Sequence, residues 1–161
     1  MIRSSLLVLL LALAPEAIAQ DLTVRVEGFA ADRERLEGVW EGGYACEATG
    51  RHGTLTFTLA PGASHAIARL VMVPRATPEA PDPEPIVLAF HIVEVDSATV
   101  RGALAPYADP EWDLPLETHF VGTLGDGRLD GTFDSLPTTV DSLPASGVWW
   151  AVRTRSASSD L

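Results

Sequence analysis

The 161-residue sequence predicts an all-β fold, a single antiparallel up-and-down barrel of about eight strands with a short helical turn near its N-terminal end. Three observations predict it. Apolar and polar residues alternate with period two in segment after segment, as in Leu55, Phe57 and Leu59 against Thr54, Thr56 and Thr58. Turn residues punctuate these segments, most plainly Gly125-Asp126-Gly127, which tolerate the positive φ of a tight hairpin. Strands joined mostly by short links form a meander, and closure removes the exposed edges that a flat sheet would offer to aggregation. A β-sandwich of the same strands is the alternative that periodicity leaves open.

Taken in order, residues 1–19 read as a signal peptide. Arg3 supplies the positive start, Leu6 to Ala14 the apolar run, and Ala17-Ile18-Ala19 the small-x-small cleavage site, so the mature chain begins at Gln20. The run is too short to span a bilayer, and no Cys follows the cleavage site to carry a lipid anchor. Residues 20–155 form the barrel domain and 156–161 a disordered polar tail. A weak strand at Leu22–Val26 is followed by a helical turn at Asp32–Leu36 with Asp32 as its cap. Eight strands follow, at about 37–46, 53–59, 64–73, 86–95, 98–105, 116–124, 128–134 and 146–154. Pro74 to Pro85 is too proline-rich to pair as a strand interior and reads as an extended, mobile surface loop. Two further long loops run from Pro106 to Pro115 and from Leu136 to Ala145.

Gly38-Val39-Trp40 lies on the first long strand just after the helical turn. It resembles the Gly-x-Trp element of the calycin group of barrels, which includes lipocalins, fatty-acid-binding proteins and avidin-like proteins. The resemblance is architectural. It implies a lipocalin-like barrel in which Trp40 crosses the closed end and packs against an arginine just beyond the last strand, a part open to Arg153 or Arg155. The chain carries no Thr-Asp-Tyr segment of the lipocalin kind and, with Cys46 as its one cysteine, lacks the usual lipocalin disulfide. A ligand-binding role follows from this likeness as analogy.

Composition narrows the function. A net charge of −11 repels phosphate backbones and anionic headgroups, so no nucleic acid and no membrane surface is expected as a partner. All 11 basic residues are arginine, which removes Schiff-base chemistry and any lysine general base. Cys46 ends an apolar stretch and reads as a small buried hydrophobe, so a core rather than disulfides must hold an exported domain together.

No motif names a reaction. His52, His65, His91 and His119 have no metal-ligand spacing, although His65 and His91 would meet if their strands paired. Asp109, Glu111 and Asp113 alternate on a loop but lack the glycine and terminal glutamate of a calcium loop, and read as a solvated acidic run. No serine sits in a Gly-x-Ser-x-Gly elbow. No catalytic residue, metal or cofactor is therefore expected, and enzyme activity is not the favoured reading.

The inward-facing rows expected from parity are Gly38, Trp40, Gly42 and Tyr44; Leu70 and Met72; Leu88, Phe90 and Ile92; and Leu116, Thr118, Phe120 and Gly122. Large aromatics mixed with glycines either hollow a pocket or interlock into a filled core. If a pocket forms, Trp40, Tyr44, Phe57, Met72, Phe90 and Phe120 are its candidate ligand-binding residues, and a buried Tyr44 phenol needs a hydrogen-bond partner that a ligand can supply. Three classes remain. The first is a periplasmic or secreted protein holding a small apolar ligand. The second is a structural or protein-interaction module with a filled core, working through its long loops near Tyr107 and Trp112. The third is a small outer-membrane barrel, disfavoured by only two tyrosines for aromatic girdles and by Arg, Asp and Glu on the outward parity.

Overall fold

The computed structural model describes residues 22–137 and 145–155, so the expected signal peptide and polar tail lie outside the described residues. The alternating segments fold into a closed barrel of nine strands, with two short strands outside it and one helix. Around the wall run β1 (Thr23–Glu27), β6 (Phe90–Asp96), β7 (Thr99–Leu104), β9 (Pro115–Leu124), β10 (Arg128–Pro137), β11 (Ala145–Arg155), β2 (Gly38–Cys46), β3 (Arg51–Leu59) and β4 (His65–Val73), and β4 pairs back onto β1. The barrel excludes the sandwich.

Every one of the eight expected strands is present, and consecutive ones pair antiparallel except at one seam. There β1, the weak N-terminal strand, is wedged between β4 and β6 as a ninth stave, antiparallel to the first and parallel to the second. An alternating up-and-down ring closes only on an even number of staves. Nine therefore require one parallel contact, and β1–β6 is that contact. The wedge also keeps His65 and His91 apart, because Arg25 lies opposite both His65 on β4 and Ile92 on β6.

β1 is short and covers the first third of β4, from His65 to Ile67. Beyond it, β5 (Ile86–Leu88) reaches across to pair with Leu70–Met72. The expected continuous strand at 86–95 is thus divided at Ala89, one part serving β4 and the other β7 and β1. A register shift between Phe90 and Ile92 changes the parity, so Val93 and Val95 face inward where Ile92 was expected. Residues 74–85 contain no strand, and β8 (Tyr107–Ala108) pairs with the start of β9 inside what was expected to be loop. The expected loop at 136–145 lies partly outside the described residues.

The helix α1 (Ala30–Leu36) begins two residues earlier than expected. Its N-cap is Phe29, with no side-chain cap, and Asp32 sits in the first turn, where a carboxylate favours the helix dipole without capping it. The helix lies at the end of the barrel where β2 starts and β4 begins. Arg33 donates to Ala63 O at 3.0 Å, Arg35 donates to Ser97 O and to Leu124 O, and Trp40 Nε1 donates to Leu36 O at 2.8 Å. Trp40 and Leu59 are completely buried, and Leu36 nearly so. The Arg153 guanidinium covers the Trp40 ring at 4.7 Å and donates to Arg35 O. An arginine thus covers Trp40 as expected, but Arg153 does so from within β11 and not from beyond the last strand. This end is closed.

Candidate functional site

The other end differs in kind. From the closed end upward, the inward rows pass from aliphatic and aromatic residues to a collar of polar ones. Within lies a cavity of ≈ 100 Å³ whose wall is almost wholly apolar. Trp40, Tyr44, Phe57, Met72, Phe90 and Phe120 all contribute to that wall. Parity brings them together, with Trp40 and Tyr44 on β2, Phe57 on β3, Met72 on β4, Phe90 on β6 and Phe120 on β9. Trp40 forms the floor. Edge-to-face contacts tie the aromatics into a frame, Phe90 to Phe120 at 5.7 Å, Phe120 to Trp149 at 5.8 Å and Tyr44 to Phe133 at 5.8 Å.

Trp149 and Trp150 point opposite ways. Trp149 faces in, lies across Gly131 and Gly122, and donates from Nε1 towards Thr132 O at 3.2 Å and Val121 O at 3.3 Å. Trp150 faces out beside Val148 and Val152, so it lies on the outer surface and not in the cavity wall.

At the collar, three hydroxyls form a chain. Thr118 and Ser135 are register partners on β9 and β10 and bond at 2.8 Å, and Tyr107 of β8 bonds Thr118 at 3.1 Å. Tyr44 is 7% exposed, and its hydroxyl has no hydrogen-bond partner among the described residues. Burial pushes its phenol well above the ordinary range and the nearby Tyr107 adds to this. The Val73 amide and the Arg51 charge offset part of the shift, the amide without closing a hydrogen bond of normal geometry. Tyr44 is therefore a neutral O–H, available as a donor.

Arg51 opens β3 on the inward parity of Gly53, Leu55, Phe57 and Leu59, and it is buried. Its two terminal nitrogens grip Asp109 at 2.7 and 2.9 Å, one of them also reaches Glu111 at 3.2 Å, and its Nε has no partner. Asp109 is 3% exposed and accepts from the Glu111 and Trp112 amides at 2.8 and 3.2 Å. The acidic run expected to be solvated is thus pinned at its first member, and Trp112 lies over the Arg51 guanidinium at 5.8 Å. Burial alone would raise the Asp109 carboxyl, but the hydrogen bonds and charge of Arg51 and the two amides hold it below the usual carboxylate range. Tyr107 turns inward to the hydroxyl chain while Trp112 is exposed, so the two do not share one exposed surface.

Cys46 is buried as expected, lines the cavity and donates to Ser146 O at 3.1 Å. Sequence reasoning missed Arg51. Its signal was its parity, since a charge on an inward row requires a buried counter-charge. No family model, curated protein or solved structure matches the chain.

Proposed function

We propose that this chain is an exported binding protein, periplasmic or secreted, that holds one small and mostly apolar molecule between the aromatic frame and the polar collar of its barrel. The observation that carries this reading is the Tyr44 hydroxyl, buried on the wall of an apolar cavity and without a protein partner. An unpaired buried polar group costs about 1–3 kcal/mol, and a bound molecule that pairs it recovers that cost. Size limits the occupant. Drug-sized ligands use pockets of about 300–1,000 Å³, whereas an engineered cavity of about 150 Å³ takes benzene. At ≈ 100 Å³ the space is smaller than that, so it suits a short branched chain, or a single ring whose polar end extends into the collar, and is too small for a long acyl chain.

Export rests on the three-part signal at residues 1–19. The charges of Arg69, Arg101, Glu117, Arg128, Asp130 and Asp134 on the outward rows speak against a membrane barrel, whose lipid face penalises Arg by about 2–4 kcal/mol at the midplane. The interaction-module reading keeps one specific support, the exposed row Val148, Trp150 and Val152 on β11.

The test is Trp149 fluorescence during titration with one-ring alicyclic compounds and, separately, with long-chain fatty acids. A saturable change with the first set and none with the second is expected. A flat response to both, from a protein that melts cooperatively, would overturn the reading and direct attention to the β11 row.

A further inference from the structure

Resting on the binding reading above, we infer that the ligand carries a neutral carbonyl group, as in a small ketone, aldehyde or ester, and that Tyr44 and Arg51 donate hydrogen bonds to its oxygen end. Two buried donors at the collar have no acceptor among the described residues. Tyr44 offers an unpaired O–H, and the Arg51 Nε–H is buried and unpaired. An arginine has no acceptor to offer in return. In the chain Tyr107–Thr118–Ser135, three hydroxyls share two hydrogen bonds, which leaves one further proton to donate. Tyr44 and Arg51 also stand together. Tyr44 pairs with Gly53 and Cys46 with Arg51, so the two side chains are diagonal neighbours on one inward face.

A carboxylate is the obvious partner for an arginine, and the surroundings disfavour it here. Both terminal nitrogens of Arg51 are already committed to Asp109, with Glu111 beside them. An incoming anion would meet a guanidinium whose charge is matched and two carboxylates that repel it, in a chain of net charge −11. A neutral acceptor meets the donors without that repulsion. A hydrocarbon fills the cavity but leaves both donors unpaired.

Calorimetric titration of the protein with acetophenone, ethylbenzene and benzoate separates these cases, because the three are nearly equal in size. Acetophenone should bind at least about tenfold more tightly than ethylbenzene, the factor one buried hydrogen bond contributes, and benzoate should bind more weakly than either. In Tyr44→Phe the advantage of acetophenone should fall by about that factor while ethylbenzene keeps its affinity. Equal binding of acetophenone and ethylbenzene would overturn the carbonyl inference and leave the binding reading standing. Tightest binding by benzoate would overturn the neutral class in the same way. No binding by any of the three, from a cooperatively melting protein, would sink the binding reading itself. The three-ligand comparison on the unaltered protein decides the matter even if Tyr44→Phe does not fold.

Discussion

At the scale of single residues, two arginine–aspartate pairs among the described residues have opposite consequences. Arg128 and Asp130 meet at 2.5 Å on the outer surface, where water screens them, and removing either should leave the denaturation midpoint where it is. Arg51 and Asp109 meet inside. Taking away one partner leaves the other charged and buried, so Asp109→Ala should destabilise the fold by about 3–5 kcal/mol in urea denaturation, and a change as small as that of Asp130→Ala would disprove the structural role. The pH dependence follows from the direction of the shift. The folded Asp109 carboxyl titrates below its unfolded value, so its contribution is present in full above the ordinary aspartate pKa and is lost as pH falls through the lowered folded pKa. A wild-type midpoint that falls with acid below about pH 4, against a flatter profile in Asp109→Asn, is the expected signature. From sequence the two halves of this pair could not be joined. Asp109 stood out in an acidic run, whereas Arg51 lies 58 residues away and only the closure of the barrel brings it near.

At the scale of elements, the legible part was parity and the illegible part was where parity breaks. The Leu55-Phe57-Leu59 row and the Gly125-Asp126-Gly127 turn are local patterns, and both stand as expected, with Gly127 at a φ of 71° and Gly125 N bonded to Arg128 O at 2.8 Å. The shift between Phe90 and Ile92 depends on which neighbour each half of that segment meets, and so left no local trace. Five of the six candidate cavity residues were legible because each lies on an inward row undisturbed by such a shift, and Phe90, the sixth, lies just before it. Glycines were legible only as gaps, and their purpose comes from the strands beside them. Gly122, Gly131 and Trp149 are register neighbours across three strands, so the indole lies flat over two positions that have no side chain. A Cβ at Gly131 would come within 2.5 Å of the indole nitrogen and 2.2 Å of Val121 O, and the backbone oxygen cannot move aside cheaply. Gly131→Ala should therefore lower stability by about 1–3 kcal/mol and shift the Trp149 emission. An unchanged urea midpoint would mean that the indole is free to leave this position.

For the whole molecule, the decisive element is the one the sequence marks most faintly. The eight strong strands form a meander whose count would allow alternating closure, yet β4 and β6 do not pair, and the five residues of β1 bridge them. Val24 and Val26 are almost fully buried there, each contributing about 1.5–3 kcal/mol, while the β1 backbone satisfies an edge on either side. Without it, β4 and β6 present unpaired amides and carbonyls along a split that runs into the core, which is the arrangement that recruits a strand from another molecule. A chain beginning at Gly28 is thus expected to elute as oligomers and to lose cooperative melting, whereas the chain beginning at Gln20 stays monomeric. If the shortened chain were instead monomeric and melted sharply, β4 and β6 would have met directly in an eight-stave ring. The parallel β1 contact would then be an addition to a barrel able to close alone, not the means of its closure.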